Sequence, residues 1–129
     1  MRYFGAKGTF WRVFSQFIRK RDTSKGYGRC ISCGKVISYE TCDAGHFIPA
    51  NECFIGLLFD EKNVNAQCQK CNRFDGGNRY EYSLRLDEKY GEGTAKKLWQ
   101  RKWEITKEKT DEEYKNLTKK YREKIKNLT

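Results

Sequence analysis

Along residues 10–21 the chain reads "FWRVFSQFIRKR", and Phe10, Phe14, Phe17 and Ile18 fall on one side at helical spacing. Such a stripe predicts a helix with one apolar face. It ends in Arg19, Lys20 and Arg21, and "DTSKGYG" at 22–28 follows as a loop. Residues 29–39, "RCISCGKVISY", read as a tight turn between two short strands, with Gly34 supplying backbone freedom after the second cysteine. From 42 to 68 the pattern is irregular, with short apolar runs.

Helical signals return after "CQKCN". Asn78 is placed to cap a helix and Glu81 to complete a capping box, and the helix runs to about Tyr90 and stops at Gly91. Thr94 is placed to cap "AKKLWQRKWEI", in which Trp99 and Trp103 are read as core. Thr110 and Glu113 form a capping box for a last helix, where Tyr114, Leu117, Tyr121, Ile125 and Leu128 recur at steps of three and four. The polar faces of these last two helices are wide, which predicts loose packing on the body. No internal repeat or low-complexity linker interrupts the chain.

With 129 residues, the chain suits one compact domain of three parts. These are a basic N-terminal helix and loop (1–29), a core (30–93) and basic C-terminal helices (94–129). No apolar run is long enough to span a bilayer, and "MRYFGAKGTFW" lacks the apolar segment of a signal peptide. A cytoplasmic location, with reduced thiols and no membrane partner, is expected.

The net charge of +10 is unevenly placed. Residues 1–29 carry eight Lys/Arg against one acid and residues 94–129 twelve against six, whereas residues 30–93 carry seven against ten. Basic flanks attract polyphosphate, so nucleic acid is the expected partner. Arg19, Lys20 and Arg21, with Lys70, Arg73 and Arg79 near the core, are the expected DNA contacts. An acidic centre repels phosphate unless a cation sits there.

Cysteines supply one place for a cation. Cys30-x2-Cys33 and Cys68-x2-Cys71 are separated by 34 residues. Two such pairs give the four thiolates of a structural zinc site, and a redox pair would normally stand alone. An iron–sulfur cluster takes the same donors. Cys42 and Cys53 are left over as small buried hydrophobes, although Cys42 is able to replace one ligand. A zinc frame closes residues 34–67 into a loop and fixes His46, the only histidine, relative to Asn72.

Asp43, Asn63, Asn65 and Asn72 lie around His46 as oxygen donors suited to a hard ion such as Mg²⁺ or Mn²⁺. A neutral histidine beside such an ion deprotonates water, and the ion stabilises charge on a leaving oxygen. Gln67, like Asn65, either faces the ion or satisfies backbone groups beside the cysteines.

The order CxxC, then "GHFIP", then "NVNAQCQKCN" resembles the HNH/treble-clef (ββα-metal) endonucleases. More narrowly, "AGHFIPA", "FDEKNVNAQCQKCN", "GGNRYEYSLRL" and "YGEG" resemble the NinG (Rap) recombination proteins of lambdoid phages. The likeness covers roughly residues 29–93, and the flanks match only in being basic and helical. It implies an α+β fold: a small zinc-stapled treble-clef core with flanking α-helices. It implies that His46 is the general base and that Asn63 holds the loop and orients it. Asn72 follows the last CxxC and would bind the catalytic ion, as in resolvases of the endonuclease VII type. Many relatives carry Asp immediately before the histidine; Gly45 stands there, and Asp43 is the alternative ligand. The implied substrate is branched DNA such as a Holliday junction, cut by a homodimer in the host cytoplasm alongside phage or host recombination proteins. A non-catalytic zinc module that binds DNA, or an adaptor for a recombinase, is the rival expectation.

Overall fold

The apolar stripe at the N-terminus becomes helix α1 (Gly5–Asp22), which buries Phe10, Val13, Phe14, Phe17 and Ile18. The computed structural model describes residues 3–53 and 55–128. Against this stripe lies α5 (Asp111–Lys126), begun by the Thr110–Glu113 capping box that its sequence predicts. Its Tyr121 ring sits 5.1 to 5.5 Å, centroid to centroid, from Phe17, Phe14 and Phe10. Edge-on aromatic contacts of this kind add to the free energy of burial. Tyr114 is only 1 % exposed. The expectation of loose packing is therefore corrected for α5: two tyrosines, counted by their polar ends, form a core seam with α1.

The predicted hairpin is present as β1 (Gly28–Arg29) and β2 (Val36–Ile37), paired antiparallel. Gly34 adopts φ +77° in its turn, and its N–H donates to the Cys30 carbonyl at 2.9 Å. The stretch read as irregular holds a second antiparallel ribbon, β3 (Cys42–His46) against β4 (Val64–Cys68). Its register pairs Cys42 with Cys68 and His46 with Val64. Every β4 residue is buried, Asn65 and Gln67 included, so the polar–apolar alternation of "VNAQC" marks no solvent face.

A short helix, α2 (Ile55–Leu58), precedes β4. Helices α3 (Arg79–Tyr90) and α4 (Thr94–Arg101) cover a second core of Ile31, Phe47, Ile48, Leu57, Tyr82, Leu86 and Leu98. α3 stops at Gly91 and has Asn78 at its N-cap position, as expected, but the Asn78 side chain makes no capping hydrogen bond and Glu81 completes no box. Asn78 follows two left-handed glycines and is itself left-handed at φ 45°, which turns its amide onto the Cys71 sulfur. Thr94 is the first helical residue rather than the cap, with Gly93 before it. α4 ends at Arg101, short of the expected run to residue 105. Trp99 and Trp103 are corrected with it: both are exposed, and the Lys102 ammonium lies over their rings at 3.7 and 4.8 Å. The architecture is mixed α+β. Among the described residues no helix is long and apolar enough to cross a membrane.

Candidate metal centre and groove

Four of the six cysteines converge. Cys30 and Cys33 lie in the β1–β2 turn, Cys68 ends β4 and Cys71 follows in the turn Lys70–Phe74. Their sulfurs all lie within 4.8 Å of one another. Tetrahedral zinc with Zn–S near 2.3 Å places sulfurs about 3.8 Å apart, and Cys33 and Cys68 stand at 3.8 Å. Backbone N–H groups of Ser32 and Cys71 point at the Cys30 and Cys68 sulfurs, 3.4 Å away in each case. Burial pushes the Cys71 thiol up to about 12 and raises Cys30, whereas hydrogen bonds from the Lys35 N–H and the neighbouring sulfurs outweigh burial at Cys33 and lower it. A coordinated metal favours the thiolate at each ligand. The cluster is thus able to hold a metal ion such as zinc. Cys42 is outside it: its thiol donates to the Tyr39 carbonyl, and burial pushes it up to about 11. It does not substitute for a ligand. Cys53 is half-buried against the Ile48 carbonyl.

Beside the cluster opens a groove of about 740 Å³, whose lining includes His46, Asp43, Asn72, Arg19, Arg73 and Arg79. His46 ends β3, and three contacts fix it. Its Nε2 lies 2.9 Å from the Leu58 carbonyl. A carbonyl only accepts, so Nε2 carries the proton and Nδ1 the lone pair. Trp11 of α1 stacks on the imidazole at 5.3 Å and 21°. Tyr82 Oη donates to the Gly45 carbonyl at 2.7 Å, anchoring the strand just before the histidine. Burial lowers His46 below its ordinary 6.5, and the Leu58 carbonyl offsets this only in part. The ring is neutral at neutral pH.

Asn63 is fully buried and does not line the groove. Its Oδ1 accepts from Ile48 N at 2.8 Å, and its Nδ2 donates to the Ile48 and Leu57 carbonyls at 3.1 and 2.9 Å. It clamps the chain after His46 to the peptide beside Leu58, and so holds the carbonyl that orients the ring.

Across the groove, Asn72 donates its Nδ2 to Asp43 Oδ2 at 2.9 Å. Arg73 grips both Asp43 oxygens, each at 2.9 Å. Asn72 Oδ1 is thereby turned toward Gly45. A Cβ at Gly45 would lie 3.0 Å from that oxygen and 1.9 Å from Gln67 Oε1. Gln67 is wholly buried, and its Nε2 donates to Ser32 Oγ and the Gly77 carbonyl at 2.8 and 2.7 Å. Its Oε1 has no hydrogen-bond partner among the described residues. Such an acceptor costs about 1–3 kcal/mol if left unsatisfied.

Other expected site residues lie elsewhere. Asn65 is corrected: it faces away from the groove, and its Oδ1 accepts from Arg21, Lys89 and Tyr90. Arg21 is corrected as a DNA contact, because it spends its guanidinium on Asp22, Asn65 and the Glu61 and Val64 carbonyls. Lys20 is exposed over the Tyr39 ring, and Lys70 is exposed but outside the groove lining. Arg79 reaches the groove while paired with Glu52. Trp11 was missed because a helix stripe gives no sign that one flank covers a histidine; Gln67 takes the second of its two expected roles, donating to the Gly77 carbonyl beside the cysteines.

This arrangement can be set beside known proteins. The family model described as Bacteriophage Lambda NinG protein matches residues 3–129. The chain belongs to the NinG family. The match runs through both flanks, which corrects the expectation that only residues 29–93 carry the likeness. Protein ninG of Salmonella phage P22 is 34 % identical over 121 residues, covering 91 % of this chain and 54 % of that protein. Protein ninG of Escherichia phage lambda is 32 % identical with the same coverage. The chain thus spans about half the length of these NinG relatives. No solved structure is significantly similar.

Proposed function

We propose that this NinG-family chain is a metal-dependent DNA endonuclease of the HNH (ββα-metal) type, acting on branched recombination intermediates such as Holliday junctions. The carrying observation is the state of His46: a neutral ring with Nε2 held by the Leu58 carbonyl, leaving Nδ1 as the lone-pair nitrogen of a residue that lines a groove with three arginines. In this reading Nδ1 takes the proton from water as it attacks phosphorus. Arg19, Arg73 and Arg79 bind backbone phosphates flanking the scissile bond. Asn63 and Trp11 keep the ring in place.

The donor set suits a hard cation. Asn72 Oδ1 faces the groove floor, and Asp43 keeps lone-pair capacity beyond the three hydrogen bonds it accepts. When bound, Mg²⁺ or Mn²⁺ would neutralise charge on the phosphate and on the leaving oxygen. Symmetric cutting of a four-way junction needs two such sites, hence a homodimer. The branched substrate rests on family resemblance and the basic flanks.

The test is cleavage of nicked-circle and synthetic four-way junction DNA with Mg²⁺ or Mn²⁺, with a chelator, and with His46→Ala. Cation-dependent products from the parent and none from the variant are expected. The two-pronged grip of Arg73 on Asp43 favours a second reading, a zinc-stapled module that binds DNA without cutting it. Tight binding with no product under any cation would select that reading.

A further inference from the structure

Two of the groove arginines are each followed directly by an aromatic residue that stands in water. Arg73 and Arg79 line the groove, with Gly76 and Gly77 between them, and Phe74 and Tyr80 come next in the chain after each arginine. Phe74 is 80 % exposed and Tyr80 is 73 % exposed. A lone exposed ring is ordinary; these two are set apart by their mount. Successive Cα atoms are about 3.8 Å apart, so each ring springs from the edge of the groove. The loop between them is tied to the cysteine frame. The Gly77 N–H donates to the Cys71 carbonyl at 2.8 Å, and the Gly77 carbonyl accepts from Gln67 and Ser32 at 2.7 and 3.0 Å. Arg73 is held on Asp43 and Arg79 on Glu52. The rings are therefore carried on ordered backbone, which lowers the entropy lost when a ligand covers them. Exposed Trp99 and Trp103 differ, because the Lys102 ammonium already lies over both rings.

The arginines select phosphate, and a flat ring one residue along meets the bases which that phosphate backbone carries. In a continuous duplex each base-pair face is stacked on the next, so a ring enters only by unstacking a step. Where strands part or cross, base faces are open or easily opened, and the cost falls. We propose that Phe74 and Tyr80 sense a branch point: with backbone phosphates on Arg73 and Arg79, the two rings stack on base faces left open where strands part. This rests on the DNA groove of the nuclease reading above and deepens it, because it locates the preference for branched DNA in two side chains. Stacking of this kind is indifferent to sequence, since every base has a π face.

The experiment compares affinity for a synthetic four-way junction with affinity for a linear duplex of the same sequence. Fluorescence anisotropy is read on zinc-loaded full-length protein without added divalent cation. Phe74→Ala and Tyr80→Ala remove the rings, and Phe74→Tyr and Tyr80→Phe keep them. Both positions are exposed, so the fold should persist, and zinc content and circular dichroism verify it. Expected is a loss of at least about fivefold on the junction for each alanine variant, less than about twofold on the duplex, and parent-like affinities for the ring-keeping variants. Equal losses on both DNAs, no loss on the junction, or a parent that does not prefer the junction overturns the proposal. So does a drop in oligomeric mass by light scattering with an unchanged junction-to-duplex ratio, since a second copy of the chain would then be what covers the rings. Each of these leaves the nuclease reading standing, because that reading is decided by cleavage. Ring-dependent junction binding with no cutting under any cation does the reverse: it keeps the stacking residues and removes the nuclease.

Discussion

The chain builds an Asp–Arg–Asn cluster twice, once around Asp22 beside β4 and once around Asp43 in the groove, and the two differ in how completely they are satisfied. In the first, Asp22 accepts from Arg21, Lys89 and the Ala66 N–H, while Asn65 accepts from Arg21, Lys89 and Tyr90 and donates to Lys62. Burial alone would raise Asp22, but the Arg21 fork and Lys89 outweigh it and hold the carboxyl below its ordinary 3.8. In the second, Asp43 is held by Arg73 and Asn72, yet Arg73 is more than half exposed and Asn72 Oδ1 has no donor among the described residues. His46 and Gln67 add further unused lone pairs beside it. Identical residue types thus make a saturated staple on one side and an open donor set on the other. Chemistry belongs where the hydrogen-bond inventory is incomplete, because only there can an ion or substrate be the missing partner.

The largest effect should come from neither cluster but from the frame that carries both. Cys68→Ala removes a metal ligand at the end of β4, two residues from Ala66 on the Asp22 side and one from Gln67 on the groove side. Loss of bound zinc, partial unfolding and loss of DNA binding together are expected, read by elemental analysis and circular dichroism. A zinc-free protein with an intact fold would contradict this. His46→Ala should separate function from frame: zinc, fold and junction binding retained, with cleavage down by about 10²–10⁴-fold, the usual worth of a positioned base. Cleavage at the parent rate would remove His46 from the chemistry.

The two aspartates should then part company. Asp22→Ala leaves Arg21 and Lys89 uncompensated in a buried setting, at a cost of about 3–5 kcal/mol in urea unfolding. Asp43→Ala breaks an ion pair whose arginine is in water, and should cost less than about 1 kcal/mol. Equal losses would erase the distinction. The arginines sharpen it by a smaller effect. Arg73→Ala should flatten the dependence of log affinity for DNA on log salt by about one unit of slope. Arg21→Ala should leave the slope of the folded fraction unchanged.

How much of this could be read from residues follows the same division. The α1 stripe, the CxxC hairpin and the Thr110–Glu113 cap announce themselves because each is a local pattern with one mechanism. Asn78 misled, since its cap chemistry is overruled by the two left-handed glycines before it. β4 was passed over because "VNAQC" is a short strand buried on both faces, with Asn65 held by residues distant in sequence. Asp43, His46 and Asn72 were legible as a group because the cysteines on either side fix their separation. Trp11 was not, since what it does depends on a partner 35 positions away.

The smallest expected effect concerns the pH response of the two sides. His46 is held below 6.5 in the fold and returns toward 6.5 when the chain unfolds. Between those two values the unfolded chain binds a proton that the folded chain does not, so stability rises with pH across that window. The contribution of neutral His46 is complete above 6.5 and is lost as pH falls to the lowered value. Asp22 acts further down: its carboxyl is depressed, so its contribution is present above 3.8 and is lost as pH falls through its folded value. His46→Phe keeps an aromatic ring against Trp11 and removes the proton site. Urea midpoints measured across this range should therefore show a shallower fall below 6.5 for His46→Phe than for the parent, while both collapse alike near the Asp22 limb. Any metal held by the four cysteines would be lost by thiolate protonation from both proteins equally, so the difference between the two curves isolates the histidine. Superimposable curves would mean that His46 is not held neutral by its surroundings, and with that the case for a poised Nδ1 would fall.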